Sequence, residues 1–257
     1  MIDSRALVDP DARLGSNVSV GPWSIIEADV ELGDNTRIGS HVVVRGPTTI
    51  GQNTEIFPFC SIGGAPQDKK FDAGQDSRLE IGDHNVIREY CSINRGTQLG
   101  GGTTRIGDNN WIMAYCHVAH DCRVGSNTVF ANNATLAGHV TIEDHVNLGG
   151  FTGVHQFCQI GAYSFTGIAA AIVKDVPPFM IVAGNTARVH GLNREGLKRH
   201  GFSPDTVNML RRAYKILYRH KLTLSEAVKQ LNELASESAE VGQLVSFIES
   251  SQRGIVR

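Results

Sequence analysis

Apolar residues recur at every sixth position between residues 2 and 172, and this period excludes most folds. Counted in sixes from Ile2, the pattern covers residues 2–62, 81–93 and 106–172. Of these 26 marked positions 25 are apolar, with Thr166 as the exception, whereas 41% hydrophobic composition would give about eleven by chance. A period of six matches neither the 3.6-residue turn of an α-helix nor the two-residue alternation of an ordinary strand.

This period predicts a mainly β fold, a parallel β-helix in which short strands joined by turns each direct one apolar side chain inward. Gly39, Gly51 and Gly107 directly follow marked residues, where a tight turn needs an unhindered backbone. Resemblance to known hexapeptide-repeat proteins implies a left-handed coil of three hexads, so 18 residues make one coil and the chain about nine. The period breaks at 63–80 and 99–105, and we expect a loop to leave the coil at each break.

The last quarter of the chain has helical spacing instead. Ser203 followed by Pro204 is typical of a helix start, with the proline at the first helical position. Thr223 and Glu226 form a capping-box pattern ahead of a second helix. A third helix is expected over 239–250, so this region is predicted to be α-helical.

Domain organisation and charge change together near residue 185. We predict a left-handed β-helix domain over 1–190, a linker over 184–191 and a small α-helical C-terminal domain over 191–257. The chain carries 24 Lys and Arg against 26 Asp and Glu, a balance that does not favour nucleic acid as a partner. Residues 1–184 hold 12 basic and 19 acidic residues, whereas 185–257 hold 12 and 7. The basic helical region is either a solvated face or a dock for an acidic nucleotide or protein.

The cysteines are predicted to be buried core residues, although a nucleophile, a disulfide or a metal ligand are alternatives. There is no Cys-x-x-Cys, and an odd count without a secretory signal suits a reducing cytosol. No apolar run approaches the length of a membrane span, so we expect a cytoplasmic protein without membrane insertion. All five lie four residues after a marked position: Cys60, Cys91, Cys116, Cys122 and Cys158.

Stacking of successive coils predicts a polar patch in the middle of the β-helix. A step of 18 residues brings Gly138 beside His120, His139 beside Asp121, and Gln156 beside Gly138. A glycine stacked on a histidine exposes a bare backbone N–H, the arrangement of an oxyanion donor next to a general base. The predicted patch comprises His117, His120, His139, His155 and Gln156.

Metal binding is the competing use of such histidines. Hexapeptide-repeat carbonic anhydrases bind zinc with three histidines across a subunit interface, and Asp121 would suit a ligand as well as an orienting carboxylate. His117 and His120 lie three residues apart. Acid–base catalysis is the reading we favour, and we predict no metal.

Several long motifs resemble one family in particular, the UDP-N-acetylglucosamine O-acyltransferases of lipid A biosynthesis. The similarity runs essentially from end to end of the chain. It is carried by His-Val-Ala-His-Asp-Cys (117–122), Ala-Asn-Asn-Ala-Thr-Leu-Ala-Gly-His (131–139), Val-His-Gln-Phe-Cys (154–158), Glu-Gly-Leu-Lys-Arg (195–199), Gln-Asp-Lys-Lys (67–70) and Arg-Gly-Ile-Val-Arg (253–257).

The resemblance implies an enzyme that transfers a 3-hydroxyacyl group from acyl carrier protein to the 3-hydroxyl of UDP-N-acetylglucosamine, the first step of lipid A biosynthesis. His120 would be the general base, Asp121 would orient it, and the Gly138 N–H would hold the oxyanion. Transfer would be direct, without a covalent intermediate. No cofactor is implied, because the acyl group arrives on the phosphopantetheine of the carrier protein.

The resemblance also implies substrate contacts and an assembly. Family members are homotrimers with the active site between neighbouring prisms, and the basic helical region would receive the acidic carrier protein. The implied contacts to sugar, acyl group and nucleotide are Asp68, Lys70, His117, His139, His155, Gln156, Asn193, Glu195 and Arg199.

Three residues depart from the pattern of many relatives. Asn94 stands where a histidine is common, which alters a polar contact. His200 follows Arg199 where a second arginine is common, which would make nucleotide binding weaker and dependent on pH. Ile168 stands where relatives with glycine accept a longer acyl chain, so its bulk is expected to select a shorter one.

Other functions have their own signatures. The N-acyltransferase that acts on UDP-3-O-acylglucosamine later in the pathway shares the repeats and the donor but carries an extra N-terminal domain, whereas the repeats here begin at Ile2. A coenzyme A-dependent acetyltransferase is disfavoured by the long motifs. A non-catalytic scaffold would need no stacked histidines.

Overall fold

Short parallel strands wound into a triangular prism dominate the computed structural model, which describes residues 1–72 and 74–257. Most strands have two residues, as expected where each hexad supplies one flat step and one turn. In chain order the strands β1–β27 are Leu7–Val8, Arg13–Leu14, Ser19–Val20, Ile25–Ile26, Val30–Leu32, Arg37–Ile38, Val43–Val44, Thr48–Ile50, Glu55–Ile56, Ser61–Gly64, Arg78–Ile81, Val86–Ile87, Ser92–Asn94, Thr103–Ile106, Trp111–Ile112, His117–Val118, Arg123–Val124, Val129–Phe130, Thr135–Leu136, Thr141–Ile142, Asn147–Leu148, Gly153–Val154, Gln159–Ile160, Phe165–Thr166, Ala171–Ile172, Met180–Ala183 and Arg188–Leu192.

Every third strand belongs to the same sheet, so the described chain forms a left-handed parallel β-helix with three faces. The first sheet (β1, β4 and so on to β25) has nine strands, the second (β2 to β23) eight and the third (β3 to β27) ten. Where no loop intervenes, partners are 18 residues apart, as in His117 paired with Thr135. The predicted fold class and coil length are confirmed.

The three edges of the prism are turns in which one residue has a left-handed backbone. The first edge, between the first and second sheets, includes Asp121, His139 and Phe157, with φ of 60°, 62° and 65°. The second edge includes His145 and Tyr163, and the third includes residues 115, 133, 151 and 169. Asn, Asp and His tolerate this conformation better than most residues, and the sequence uses them there repeatedly.

The marked positions of the six-residue period form the core. All of them from Val20 onward are buried, and the three that are not belong to the first coil, which has no coil beneath it. Thr166 is also fully buried, and its hydroxyl is 2.7 Å from the Thr152 hydroxyl of the coil below. The five cysteines are buried and free, as predicted.

Two loops interrupt the coils, with bounds that differ from those predicted. The breaks in the period suggested 63–80 and 99–105, but the chain leaves the sheets over 65–77 and 95–102. The difference arises because strands beside the loops extend beyond the two-residue norm, since β11 and β14 pair over four residues. The second loop contains a short 3₁₀ helix, Gln98–Gly100.

The linker predicted over 184–191 is wrong. Residues Met180–Ala183 and Arg188–Leu192 pair as an antiparallel hairpin that ends the third sheet. The signal read as a linker, Gly184 followed by Asn185, is the hairpin turn, and Gly184 has φ 98°. The predicted boundary at 190/191 therefore falls inside a strand.

The C-terminal helices begin and end close to their sequence signals. Ser203 caps the second helix, with Pro204 at its first position, and Thr223 and Glu226 form the predicted capping box. Within residues 1–72 and 74–257, no helix combines the length and hydrophobicity needed to cross a bilayer. The helices are α1 Arg194–Arg199, which was not predicted, α2 Pro204–Tyr218, α3 Leu224–Ala235 and α4 Ala239–Ser250.

Candidate active site

The first edge of the prism brings His120 and Gly138 into direct contact on successive coils. The His139 N–H donates to the His120 carbonyl at 3.0 Å, which fixes the register of the two turns. A Cβ atom placed on Gly138 would lie 2.6 Å from His120 Cε1, closer than real Cβ atoms come to other atoms. The glycine is therefore required for the imidazole to lie against the backbone, as the stacking argument predicted.

The Gly138 N–H is free to donate to a bound molecule. Within the part of the chain that the structure describes, it makes no hydrogen bond, whereas the N–H groups of Ala137 and His139 are both paired. An unpaired amide beside an imidazole can stabilise an oxyanion that develops while the imidazole takes a proton.

Asp121 fixes the orientation of the His120 ring. Its Oδ2 lies 2.8 Å from His120 Nδ1, and the carboxylate is fully buried. Burial raises the pKa of Asp121, but hydrogen bonds from His120 and Thr97 outweigh it, so the pKa lies below its usual value. An ionised Asp121 requires the hydrogen on His120 Nδ1, which leaves the Nε2 lone pair available.

Thr97 and Gly100, in the loop over 95–102, also contact this carboxylate, and the sequence analysis missed both. The Thr97 N–H donates to Asp121 Oδ1 at 2.8 Å, and its hydroxyl donates to Oδ2 at 2.7 Å. The 18-residue step fails at a loop, so neither residue could be aligned with Asp121. The available signal was that the period breaks one coil below His120.

His139 and Phe157 continue the first edge beyond His120. The His139 ring meets His120 edge-on at 5.1 Å between centroids and stacks on Phe157 at 4.4 Å. Burial lowers the pKa of His139, although the charges of Asp121 and Asp68 oppose this. His139 is therefore neutral near pH 7 and can donate or accept a hydrogen bond.

His117 is half-buried on the first sheet, and its Nδ1 lies 2.7 Å from the Ser92 hydroxyl of the coil below. Burial lowers the pKa of His117, and a charge on His120 would lower it further. The mutual effect places His117 and His120 within electrostatic range of each other. Ser92 had not been identified as a partner from the sequence.

The first loop, over 65–77, covers the same edge and closes a groove of about 690 Å³. Asp68 and Lys70 line this groove together with His120 and Gln156, so four of the predicted site residues lie together. His155 is exposed beside the groove, with its Nδ1 3.1 Å from the Gln156 carbonyl.

Asn193, Glu195 and Arg199 lie against the second edge, apart from His120 within one chain. The Asn193 amide caps α1, accepting from Gly196 N–H and donating to the Tyr163 carbonyl at 2.8 Å. Glu195 and Arg199 are exposed on α1. The single chain therefore does not bring this predicted segment and the histidines together.

The three departures from the family pattern also have defined positions. Ile168 is 76% exposed beside the third edge. Asn94 is buried, with its amide 3.4 Å from the Gly64 carbonyl. The His200 ring packs edge-on against His145 and Tyr163 at the second edge, at 4.8 and 5.2 Å.

The ligand atoms of His120, Asp121 and His139 lie within 4.8 Å of one another, which makes the cluster a candidate metal centre. The hydrogen bonds argue against that use. Both Asp121 oxygens already accept from Thr97, and Oδ2 also accepts from His120. A metal ion held by this carboxylate would have to displace those donors, so the donor set fits an acid–base pair better.

Family models match both parts of the chain. A model of six bacterial transferase hexapeptide repeats matches residues 11–46 and 103–138. A second, described as domain 2 of UDP-N-acetylglucosamine O-acyltransferase, matches residues 175–256. The two models thus correspond to the prism and to the region that contains the hairpin and the helices.

Full-length relatives carry one name. An acyl-[acyl-carrier-protein]–UDP-N-acetylglucosamine O-acyltransferase of Thiobacillus denitrificans is 58% identical over 100% of this chain and 99% of its own, and that of Alkalilimnicola ehrlichii 55% over the same shares. The crystal structure of Francisella novicida UDP-N-acetylglucosamine acyltransferase is 40% identical with a TM-score of 0.98, covering 100% of this chain and 94% of that one. Prism, helices and sequence agree from end to end, and the chain belongs to the acyl carrier protein-dependent UDP-N-acetylglucosamine O-acyltransferase family, a family of acyltransferases.

Proposed function

We propose that this protein transfers a 3-hydroxyacyl group from acyl carrier protein to the 3-hydroxyl of UDP-N-acetylglucosamine, the first step of lipid A biosynthesis. The names of the full-length relatives support the donor and the acceptor. The observation that carries the mechanism is the contact between the His120 imidazole and the backbone of Gly138. A base and an oxyanion donor within reach of one carbonyl suit acyl transfer.

His120 removes the hydroxyl proton as the sugar oxygen attacks the thioester carbonyl. Its Nδ1–H donates to Asp121 at 2.8 Å, so Nε2 takes the proton. The C–O bond forms, the carbonyl oxygen becomes an oxyanion held by the Gly138 N–H, and the C–S bond then breaks. The imidazolium returns its proton to the departing phosphopantetheine thiolate, so atoms and charges balance.

No protein nucleophile and no cofactor take part in this mechanism. Burial raises the pKa of Cys122, the thiol nearest to the pair in sequence, to about 12. A thiol in that state is a poor nucleophile at neutral pH. The acyl group therefore passes directly from carrier to sugar. Five free buried thiols are consistent with a reducing compartment, and we place the enzyme in the cytoplasm.

Substrate contacts surround the groove. Asp68, Lys70 and Gln156 line it with His139, and neutral His117 and His139 can hydrogen-bond sugar hydroxyls or the acyl 3-hydroxyl. His155 would contact the substrate from the rim of the groove. Asn193, Glu195 and Arg199 would bind the nucleotide from a neighbouring subunit, because α1 lies at another edge of its own prism. This arrangement requires an oligomer, and we propose a homotrimer.

The helical region is proposed to dock the carrier protein. Acidic carrier proteins pair with basic surfaces, which also raise the rate of encounter. Nine basic residues of this region are exposed: Arg188, Arg194, Lys198, Arg199, Arg211, Arg212, Lys215, Arg219 and Lys221.

Ile168 is proposed to limit the acyl chain. Its side chain projects from the prism beside the third edge, 76% exposed, where it would fill a groove between subunits. Replacement Ile168→Gly should shift the preferred donor toward longer acyl chains by several-fold in kcat/KM. Val173→Gly, another exposed aliphatic residue, is the matched control. Long donors preferred by the unmodified protein, with no change in Ile168→Gly, would exclude this role.

The activity is tested with purified protein, UDP-N-acetylglucosamine and 3-hydroxyacyl carrier proteins of graded length. Mass spectrometry should show a 3-O-acylated sugar nucleotide and free carrier thiol in equal amounts. A product formed only from a 3-amino sugar nucleotide, only from UDP-3-O-acylglucosamine, or only from acyl coenzyme A would instead assign the chain to one of the alternative acyltransferases. The absence of any product would support a scaffold.

A further inference from the structure

The loop over 95–102 contacts the catalytic pair through one side chain. Thr97 gives two hydrogen bonds to the Asp121 carboxylate, one to each oxygen. We propose that Thr97 is a positioning residue of the acyl transfer, which holds Asp121 so that His120 keeps the orientation and proton affinity of a general base. This inference depends on the proposed role of His120.

The direction of the hydroxyl hydrogen bond is fixed by its neighbours. The Gly100 N–H donates to Thr97 Oγ1 at 3.1 Å, so the oxygen already serves as an acceptor. The hydroxyl hydrogen then points to Asp121 Oδ2, 2.7 Å away. Thr97 is 7% exposed and the Asp121 side chain is fully buried, so water cannot replace this donor.

The loop fits closely over the carboxylate. A Cβ atom on Gly100 would overlap the Asp121 carboxylate group. The loop is tied down in turn, because Asp121 N–H donates to the Thr104 hydroxyl at 2.8 Å and Gly102 N–H to the Thr97 carbonyl at 2.7 Å. A contact this close on both sides leaves the carboxylate one position.

Thr97 and His120 donate to the same oxygen of Asp121. Without the hydroxyl, Oδ2 becomes a stronger acceptor for the His120 imidazolium, which stabilises the protonated base. The base would then be protonated at a higher pH and would be held less firmly. The other titratable or charged groups facing His120 are His117 on its own strand, His139 on the next coil, and Asp68, Lys69 and Lys70 from the first loop.

The test compares Thr97→Val with Thr97→Ser in the full-length protein. The valine variant keeps the shape but removes the hydroxyl, whereas serine retains it. We expect Thr97→Val to lower kcat about tenfold, with KM for the sugar nucleotide within about twofold, and to move the acid limb of the kcat–pH profile upward by about half a pH unit. Thr97→Ser should restore the profile. Thr128→Val, which removes a buried hydroxyl 2.7 Å from Asn110 Oδ1 at another edge, is the matched control.

Gly100→Ala provides a second test that leaves Thr97 intact. Its Cβ should displace the carboxylate and give the same loss of kcat and the same upward shift of the acid limb. An unchanged profile in Thr97→Val, or a loss equal to that of Thr128→Val, overturns the inference when His120→Ala is inactive. Retention of activity in His120→Ala would instead overturn the proposed mechanism on which the inference depends.

Discussion

At the first edge, one carboxylate stays charged while the neighbouring imidazoles stay neutral. Burial acts on all three groups, but hydrogen bonds from His120 and Thr97 outweigh it at Asp121, whose pKa is lowered. For His117 and His139 no such set of partners compensates, and burial lowers the pKa of both. Because these two rings resist protonation, His120, held by the charged Asp121, is the site where a substrate proton is accepted.

The lowered pKa of His117 predicts a dependence of stability on pH. The unfolded chain binds a proton at the ordinary histidine pKa, 6.5, whereas the folded chain binds it only at lower pH. Unfolding therefore takes up protons in this window, so His117 stabilises the fold above pH 6.5 and this contribution is lost as pH falls. The thermal midpoint should fall between about pH 7.5 and about pH 5.5, and less steeply in His117→Gln. Equal slopes in the two proteins would contradict this prediction.

Among the coils, Thr166 shows how the β-helix accepts a polar residue at a core position. Its hydroxyl is 2.7 Å from that of Thr152 and accepts from the Gly149 N–H at 2.8 Å. Both hydroxyls are fully buried, and each has a partner. The pair replaces packing by a hydrogen bond between successive coils, where neighbouring rungs lie close enough for short side chains to meet.

Thr166→Val should therefore destabilise the protein by about 1–2 kcal/mol, because it leaves the Thr152 hydroxyl without its partner. The double variant Thr152→Val/Thr166→Val should be more stable than the sum of the two single changes predicts. Unfolding in urea measures the three differences. Additive effects would show that the two hydroxyls do not stabilise each other.

The six-residue period was sufficient to predict every regular coil, because each hexad repeats the same local structure. It could not predict where the loops begin, since their residues obey no period. Coils that contain a loop are longer: Ser61 pairs with Ser92, and Ser92 with His117, 31 and 25 residues along. Arithmetic in steps of 18 therefore found Gly138 beside His120 but could not find Thr97 beneath Asp121. The hairpin over 180–192 was missed because its turn resembles a linker.

For the whole molecule, the predicted site residues are distributed over three edges of one prism. His120 lies at the first edge, α1 with Arg199 lies against the second, and Ile168 lies beside the third. A rigid β-helix cannot bring its own edges together. The proposed trimer resolves this, because the first edge of one subunit can face another edge of its neighbour. The sequence suggested this assembly only through family resemblance, since no pattern within the chain encodes a partner.

Mixed trimers test this arrangement. His120→Ala removes the base from one side of the site, and Arg199→Ala removes a nucleotide contact from the other. Trimers assembled from equal amounts of the two inactive variants should recover activity, with about a quarter of all sites containing both intact residues. Each variant alone serves as the control. No recovery after verified mixing would show that each site is built from a single chain.

The central claim is that the His120 imidazole accepts the sugar hydroxyl proton while the Gly138 amide, in contact with it, holds the oxyanion. The most direct measurement is kcat/KM of purified His120→Ala beside the unmodified protein, with equal thermal midpoints confirming that both are folded. The loss of a general base predicts a decrease of roughly 10²–10⁴. A value within about threefold of the unmodified protein would contradict the mechanism.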